Sequence, residues 1–526
     1  MENPTSAGCG PVAQSPLPVR KQLSADLRRY WPLWLIVALA IFLRLYEIGR
    51  VPGMNGDEGW YGLQARLWLA GEEVAWRTPT GNVPGLLHLW SLILLHTAFA
   101  PSLLLLRVPA LVSSLAAIAL AYATGRRFFG PAAGVSAAVL MACLPINIAY
   151  ARLGWDPSHS SLLVLAAAYA AFAGRKLLSA LLFALSVANH PSAVFVAPFL
   201  TLSFLGFNVP RQGWHRAIAN TAQQAGLLVL AILLGAALSP AAGHYLSLAR
   251  SLGRVVDFSA WANFGLKFCQ LLSGDTIYAY VVGNGLGGAR PWVDAIIALG
   301  LAAIVGAGLL SLRRHANWPT SGVLAGCLAS LALLYLVAGP WVLDPKLERF
   351  AVPMIPLTAL ALAALLELIL ARHRQWLPPL LAAIALPMLG GFWLYYMQPL
   401  KDGKIQPMRG FWTAEQDPGR LAYERIAADA APTGGGRIIA ENWWLHMPIA
   451  YYAVGQPLTV AGARAGEQSP AGAKAGPTYW VTYDGGMLDQ TLARRNDVRR
   501  RWTIATANPR NRIQIWWKPG GPAATQ

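Results

Sequence analysis

Eleven apolar stretches of a length close to that of a membrane-spanning helix run through residues 30–400 of this 526-residue chain. A spanning helix needs about 20 mainly apolar residues. Only 13% of the chain is charged and 55% is hydrophobic, whereas an ordinary soluble domain is about a quarter charged. We therefore predict a polytopic α-helical membrane protein with about eleven transmembrane helices, near residues 32–49, 104–124, 131–149, 158–174, 177–190, 192–208, 222–240, 291–312, 319–340, 350–371 and 377–398.

A twelfth stretch, 84–99, is shorter and contains His88 and His96. Basic residues concentrate in the cytoplasmic loops of membrane proteins, and this rule decides how the stretch is placed. If 84–99 does not cross, five basic pairs fall on the same side as Arg28 and Arg29: 126 and 127, 175 and 176, 211 and 216, 313 and 314, 372 and 374. We therefore predict a juxtamembrane or re-entrant helix at 84–99, a cytoplasmic tail over 1–30 and acidic outer loops.

The net charge of +18 has the same explanation. In so apolar a chain, excess Lys and Arg are typical of loops at an anionic membrane face rather than of a nucleic-acid groove. We expect membrane lipids as partners and no nucleic acid.

After residue 398 the composition becomes more polar, and we predict a small extracytoplasmic α/β domain over 399–526, following a transmembrane catalytic domain over 31–398. Alternating apolar residues indicate strands, and an aromatic run indicates a helix over 442–453. The predicted strands are 437–441, 457–460, 478–483 and 513–518. The glycines at 434–436 precede their strand, so a plain turn is favoured over a phosphate-binding loop.

The densest group of candidate catalytic residues follows the first apolar stretch, where Asp57 and Glu58 lie among glycines and aromatic residues. Two carboxylates at a membrane lip suit a general base or a metal ligand beside a polar substrate. In the simpler interpretation Asp57 is the N-cap of an interfacial helix over 58–71. The two interpretations are compatible, because a capping residue can also act in catalysis.

Four short runs, in order along the chain, resemble the C-type membrane glycosyltransferases (GT-C). This group includes the protein O-mannosyltransferases and the lipid A aminoarabinose transferase. The first run extends from Arg44 through Asp57 and Glu58 to Tyr61, and the others are Leu106-Arg107-Val-Pro-Ala with Gly125-Arg126-Arg127-Phe-Phe-Gly130, Tyr150-Ala-Arg152-Leu-Gly-Trp-Asp156 and Leu347-Glu-Arg349-Phe350-Ala-Val-Pro353-Met-Ile-Pro356. The resemblance covers roughly residues 30–400.

This resemblance implies sugar transfer from a polyprenyl-phosphate donor to an extracytoplasmic acceptor, with Asp57 as the principal catalytic residue. The acceptor would be lipid A, another cell-envelope glycan or a protein, and the location a bacterial inner membrane. The sequence has no DxD pair and no Walker loop, so nothing presents itself for a nucleotide-sugar diphosphate. The donor is therefore expected to be a lipid.

For the lipid phosphate we nominate Arg349, with Lys346 second. Pairing with the neighbouring Asp344 and Glu348 is the competing interpretation. Asp156 is a second catalytic candidate, and its alternatives are an N-cap or a local ion pair with Arg152.

Two departures from the family pattern concern histidines. Many bacterial members have Lys-Pro-Pro where this chain runs from Gly81 to His88, and often a Lys where it has Asn189-His190-Pro191. His88 and His190 are candidates for contacts with substrate or phosphate, although a lone histidine at a helix break is more often structural.

A divalent metal ion, if one is used, would be held by Asp57 and Asp156. Arg44 and Glu47 are expected to form a local pair three residues apart. The pair Trp443 and Trp444 suggests a sugar-stacking platform, but membrane-interface packing explains most such residues, so we assign them no role.

The alternative class is a secondary transporter or flippase of the inner membrane. That class favours ionisable residues near the bilayer midplane and inverted repeats. Here the acids cluster at one lip and the two halves of the sequence do not match.

Overall fold

The computed structural model describes residues 19–77, 84–238, 258–283, 290–314, 317–402, 411, 417–463, 476–505 and 512–520. Most of the predicted tail and the segment Gly81–Val83 lie outside these residues. The helices before residue 403 are α1 Val19–Arg29, α2 Trp31–Leu45, α3 Gly56–Ala70, α4 Leu86–His96, α5 Leu103–Phe128, α6 Pro131–Cys143, α7 Pro145–Tyr150, α8 Ser160–Phe172, α9 Lys176–Asn189, α10 Ala197–Gln212, α11 Trp214–Leu238, α12 Phe258–Ser273, α13 Asp275–Val281, α14 Pro291–Arg314, α15 Trp318–Ala338, α16 Met354–Ile369, α17 Leu377–Phe392 and α18 Gln398–Asp402.

The predicted helical membrane architecture is confirmed, since each of the eleven apolar stretches contains a helix. Among the described residues, six helices are long and apolar enough to cross a membrane: Leu103–Phe128, Pro191–Gln212, Trp214–Gly235, Trp292–Arg314, Trp318–Ala338 and Arg374–Asp402. The other apolar helices, among them α2, α6, α9 and α16, are shorter. The chain is thus a multi-pass membrane protein, and a total of eleven spans stays a prediction.

Two details differ from the sequence-based prediction. The stretch 131–149 is broken at Leu144, because a residue that precedes proline disfavours the helical conformation, and Pro145 begins α7. The helices α12 and α13 were not predicted. Polar residues such as Lys267 and Asp275 interrupt their apolar pattern, so no long hydrophobic run marks them.

Close helix packing organises the bundle. A Cβ atom added to Gly206 of α10 would lie 2.5 Å from the Trp318 carbonyl oxygen and 2.9 Å from the Gly322 Cα atom of α15. Small residues let helices approach closely where apolar packing alone gives little preference between partners. The helices α5, α16 and α2 pack against α6, whose residues from Ala132 to Cys143 are all buried.

The C-terminal residues form a small α/β domain, as predicted. Its five-stranded sheet has the order β2-β1-β3-β5-β4, with β1 parallel to β2 and β3, and β5 antiparallel to β3 and β4. The strands are β1 Gly436–Ala440, β2 Leu458–Gly462, β3 Thr478–Tyr483, β4 Arg499–Ile504 and β5 Ile513–Lys518, and the helices are α19 Pro418–Ala430, α20 Trp443–Ala453 and α21 Met487–Ala493. The elements β4, α19 and α21 were not predicted.

Alternation along the strands gives the sheet two apolar faces. One face, with Ile438 and Val481, packs against Ile426 of α19 and Ile449 of α20. The opposite face packs against Leu492 of α21. The helix α20 also lies along α3, so the α/β domain contacts the loop that contains the predicted catalytic acids.

Candidate active site

The helix that follows the first loop begins with a capping box. The Asn55 side chain accepts a hydrogen bond from the Glu58 amide at 2.8 Å, and the Glu58 carboxylate accepts one from the Asn55 amide at 3.1 Å. The helix therefore starts at Gly56 and has Asn55 as its N-cap. The prediction that Asp57 caps a helix over 58–71 is wrong, and the Asp57 carboxylate is left for other contacts.

Glu58 is fully buried and completely engaged. Its Oε1 atom accepts hydrogen bonds from Arg107 Nε and from the Gly154 amide, both at 2.7 Å. Its Oε2 atom accepts one from Arg107 Nη2 at 2.9 Å, besides that from Asn55. Because charge-assisted bonds to a buried carboxylate fix its position, Glu58 ties the first loop to α5 and to the loop before Asp156.

Arg44 does not form the predicted pair with Glu47. Its buried guanidinium donates to the Ala142 carbonyl oxygen at 2.7 Å and to Ser114 Oγ at 3.0 Å, whereas Glu47 pairs with Lys401 at 3.3 Å. A guanidinium has five donors, and several backbone carbonyls satisfy them deep in the bundle.

Arg152 is likewise fully buried and does not pair with Asp156. It donates to the carbonyl oxygens of Leu43 at 2.7 Å and Val51 at 2.5 Å. The predicted ion pair is therefore wrong. Arg152 instead joins the end of α2 to the loop between α2 and α3.

Asp57 lies where α3 meets the C-terminal domain. Its half-buried carboxylate accepts a hydrogen bond from Trp443 Nε1 at 3.2 Å. A Cβ atom on Gly56 would lie 2.3 Å from the Trp443 ring, so glycine is needed for this close approach. Burial raises the pKa of Asp57, while the positive charge of Arg349 and the indole hydrogen bond oppose the rise.

Asp156 faces the same space from the next loop. The Tyr61 hydroxyl lies beside this carboxylate and lowers the pKa of Asp156, and the same hydroxyl accepts a hydrogen bond from the Gly85 amide at 2.9 Å. Burial raises the pKa of Asp156 to about 7, against the lowering influence of Arg349. The predicted N-cap role is wrong, because Trp155 is the N-cap of the short 3-10 helix that Asp156 begins.

Arg349 provides the positive charge beside both acids. Its guanidinium acts electrostatically on Asp57 and Asp156, yet no carboxylate in the described part of the chain lies within 4 Å of it. The competing interpretation, in which Arg349 pairs with Asp344 or Glu348, is therefore wrong. Asp344 pairs with Lys267, and Glu348 accepts a hydrogen bond from the Tyr150 hydroxyl at 3.2 Å.

Lys346 and His190, the other candidates for contact with the lipid phosphate, lie in different environments. Lys346 is exposed and has a φ of 81°, and its side chain makes no ion pair within the described ranges. His190 is 5% exposed, its Nδ1 atom lies 2.7 Å from Ser192 Oγ, and the charge of Arg349 reaches it. His190 therefore adjoins the cluster and Lys346 does not.

His88 is buried in a chain of hydrogen-bonded side chains. Its Nδ1 atom lies 3.0 Å from His159 Nε2, and His159 Nδ1 lies 2.6 Å from Ser113 Oγ. The ring of His88 also packs edge-on against Tyr61 at 4.9 Å between centroids. His88 therefore supports Tyr61 from within the protein, and its side chain has no surface exposed to a ligand.

A structure comparison identifies the architecture that carries this cluster. The crystal structure of ArnT from Cupriavidus metallidurans bound to undecaprenyl phosphate matches with a TM-score of 0.50 and 14% sequence identity. The match covers 92% of this chain and 97% of ArnT. This chain has the GT-C fold. The suspected resemblance is thus confirmed at the level of fold, over nearly the whole length of both proteins.

A second similar structure is the oligosaccharyltransferase AglB from Archaeoglobus fulgidus, in complex with an inhibitory peptide and a dolichol-phosphate. The TM-score is 0.47 at 14% identity, and the match covers 82% of this chain and 64% of AglB. Neither a protein-family model nor a curated protein sequence matches the chain.

Within the GT-C fold of this chain, a group of packed aromatic rings lies beside the acids and was not predicted from the sequence. Tyr150 and Trp155 have ring centroids 5.6 Å apart, and Trp155 stacks on Tyr280 at 6.4 Å. Tyr150 and Trp155 belong to the same family-like run as Asp156, so their position in the sequence could have indicated that they lie near the site. Tyr280 lies in the unpredicted α13 and gave none.

Glu348 is a further buried acid near Arg349. Its Oε2 atom has no hydrogen-bond partner among the described residues, and burial raises the pKa of Glu348 to about 7. Within the same residues no three His, Cys, Asp or Glu side chains are grouped as a metal site. Asp57 and Asp156 offer two carboxylates, which is the number that Mg²⁺ commonly takes when substrate phosphate and water complete its shell.

Proposed function

We propose that this chain is an integral-membrane glycosyltransferase that moves a sugar from a polyprenyl-phosphate-linked donor to an extracytoplasmic acceptor. One observation carries the proposal. Asp57 and Asp156 lie within electrostatic reach of Arg349, which has no acidic partner among the described residues. The GT-C fold adds support, because ArnT with this fold binds undecaprenyl phosphate. The acceptor class is lipid A, another envelope glycan or a protein.

In the proposed reaction Asp57 is the general base. The acceptor hydroxyl loses its proton to the Asp57 carboxylate while its oxygen forms a bond to the anomeric carbon of the sugar. The bond between that carbon and the phosphate oxygen breaks, and its electron pair leaves with the polyprenyl phosphate. Arg349 offsets the charge that develops on the departing phosphate. The half-buried position of Asp57 suits this role, since a base must reach its substrate.

The other acids take different roles in this proposal. Asp156, which lies beside the Tyr61 hydroxyl, would orient the acceptor or the sugar hydroxyls and is the next candidate for the base. Glu58 is a catalytic candidate by its sequence context, but its four hydrogen bonds support a positioning role. If a divalent ion takes part, Asp57 and Asp156 would hold it and it would supply electrostatic stabilisation of the phosphate.

The basic candidates are ranked by their electrostatic contact with the acids and with Arg349. Arg349 is proposed to bind the donor phosphate, and His190 to contribute at its side. The exposed Lys346 is at most a peripheral contact, and His88 is proposed to support Tyr61 rather than to touch substrate.

We further propose that the site faces outward from a bacterial inner membrane and that α1 lies on the cytoplasmic side. Asp26 of α1 pairs with Arg126 at 2.9 Å, and Arg29 of α1 shares a cavity with Arg372 and Arg374. These basic loops therefore gather at one end of the bundle, and the positive-inside rule favours the cytoplasm for that end. A reporter fused after residue 400 should read extracytoplasmic, and a cytoplasmic signal would contradict this orientation.

The decisive experiment follows the bond between sugar and lipid. Purified protein in lipid vesicles would be given a fluorescent polyprenyl-phosphate sugar together with an envelope extract as acceptor. A transferase breaks the bond, so labelled sugar appears on the acceptor and free polyprenyl phosphate is released. A flippase or transporter moves the intact donor between leaflets without releasing polyprenyl phosphate, and that result would replace the proposal.

A further inference from the structure

A cavity of about 420 Å³ opens at the end of the bundle far from the candidate active site. It lies between the start of α2 and the connection from α16 to α17. Its polar lining consists of Arg29, Tyr30, Arg372, Arg374 and Gln375. The cavity thus combines three guanidinium groups, a phenol and an amide, all of which can donate hydrogen bonds.

The distance from the active site follows from the helices that connect the two. α2 runs from the cavity to the Arg44 end, beside the first loop, and α16 runs from the Arg349 side back to the cavity. Each helix has about 15 residues, so at 1.5 Å per residue it spans roughly 22 Å. The cavity is therefore a separate place in the fold and not an extension of the acidic cluster.

Tyr30 provides the observation that points to a ligand. Tyr30 is 1% exposed and lines the cavity, and its hydroxyl has no hydrogen-bond partner among the residues that the structure describes. Buried hydroxyl groups almost always have a partner, and leaving one unmade costs free energy. A ligand oxygen in the cavity would supply the missing partner.

The acidic residues near the cavity neutralise only part of its positive charge. Glu367 is used by Arg374 at 2.7 Å, and Asp26 is used by Arg126 at 2.9 Å. Arg29 and Arg372 are exposed, and neither has an acidic partner within 4 Å in the part of the chain that the structure describes. Two of the three guanidinium charges are therefore free to bind an anion.

From these contacts we infer a second anion-binding site that takes a phosphate group, most simply the head group of an anionic lipid. Guanidinium groups bind phosphate through paired hydrogen bonds. Lipid is the favoured source because an exposed apolar row on α2, formed by Trp31, Leu35 and Leu39, runs from the cavity along the bundle and gives acyl chains a surface. Basic pockets between membrane helices commonly bind such head groups.

The test uses the full chain, purified in a neutral detergent. Binding of short-chain phosphatidylglycerol, inorganic phosphate and short-chain phosphatidylcholine would be measured for the wild type, Arg372→Gln and Tyr30→Phe. Arg314→Gln is the matched control, since Arg314 is an exposed arginine at the end of α14 and its loss changes the net charge equally. Size-exclusion profiles and thermal unfolding establish that each variant is folded.

We expect saturable binding of phosphatidylglycerol, no comparable binding of phosphatidylcholine, and affinity about tenfold weaker in Arg372→Gln, as for a lost charge-assisted bond. Tyr30→Phe should weaken binding by about threefold to tenfold, and Arg314→Gln should leave it unchanged. If inorganic phosphate binds as well as the lipid and depends on the same residues, the proposed phosphate site is supported and its ligand is a soluble phosphate compound. Equal losses in Arg314→Gln and Arg372→Gln, or no binding of either anion, would overturn the proposal.

Discussion

Arg107 holds both carboxylate oxygens of Glu58, at 2.7 Å from Nε and 2.9 Å from Nη2, and neither side chain is exposed to solvent. Replacing one partner of such a pair leaves the other charge buried without compensation, at a cost of about 3–5 kcal/mol. Glu58→Gln should therefore lower the free energy of unfolding by this order, seen as a lower Tm in detergent by tryptophan fluorescence. The control Glu424→Gln breaks an exposed pair with Arg420 and should change it by less than about 1 kcal/mol. A Glu58→Gln protein as stable as the wild type would refute the positioning role.

Asp57→Asn tests the proposed base. The asparagine side-chain oxygen can still accept the Trp443 hydrogen bond, and Asn55 rather than Asp57 caps the helix, so folding should be unaffected. Sugar transfer should fall about 100-fold or more, the usual contribution of a positioned base, while donor binding persists. Release of polyprenyl phosphate, compared with Tm and with donor affinity, measures this. Transfer near the wild-type rate would move the role to Asp156.

Arg349→Gln addresses donor recognition, with Lys346→Gln as its control three residues away. Loss of a charge-assisted bond to the lipid phosphate should weaken donor binding by about 10-fold to 100-fold. The exposed Lys346 lies outside the acidic cluster, so its replacement should change donor affinity less than about threefold. Titration of the two variants with a polyprenyl-phosphate sugar separates them. Equal effects would mean that the phosphate lies nearer the surface than proposed.

The raised pKa values predict opposite pH trends for activity and stability. Burial raises the pKa of Asp57, so transfer should decline on the acid side at a higher pH than for an ordinary carboxyl group, as the base takes up a proton. Burial raises the pKa of Asp156 to about 7, so at this residue the folded state binds more protons than the unfolded state between about pH 4 and 7, and its contribution to the free energy of unfolding should decrease as pH rises. A pH profile of kcat/KM and Tm values over the same range measure both trends. In Asp156→Asn, loss of a nearby negative charge should shift the acid limb of the profile to lower pH.

Gly59→Ala tests whether the C-terminal domain is part of the site. The added Cβ atom would lie 2.7 Å from the Pro448 backbone nitrogen and 2.8 Å from the Met447 carbonyl carbon, neither of which can move as a flexible side chain would. The overpacking should cost about 1–3 kcal/mol, loosen α20 from α3 and make the C-terminal domain more sensitive to protease. Gly226→Ala, with open space around its Cβ, is the control and should be neutral. An unchanged digestion pattern in Gly59→Ala would contradict the close packing.

The membrane helices and the acidic cluster were predictable because their signals are local. Long apolar runs predict helices, and costly charge at a membrane lip indicates a candidate site, as at Asp57 and Glu58. Asp156, Arg349 and His190 became candidates through the resemblance to the GT-C family, and their roles stay predictions. The capping role of Asn55 was also readable, since Asn followed three residues later by Glu is a capping-box pattern.

Other features depend on contacts between distant segments. The partners of Arg152, and all partners of Arg44 except Ser114, are backbone carbonyls, which carry no sequence signature. The strand β4 begins with three arginines and lies at the sheet edge, where charged residues discourage pairing with another chain and hide the apolar alternation. The link between Trp443 and Asp57 joins residues 386 positions apart, beyond the reach of any local pattern.

That link has a consequence for engineering. The Trp443 indole of the α/β domain contacts Asp57, the proposed base, and Arg66 of α3 binds the backbone of Tyr451 in α20. The candidate site is therefore built jointly by the membrane domain and the α/β domain. Under the proposed function, exchanging everything after residue 398 with the equivalent part of a protein of the same fold should therefore fail to transfer acceptor preference. A working chimaera would have to carry both sides of the seam, α3 together with α20, as a single unit of exchange.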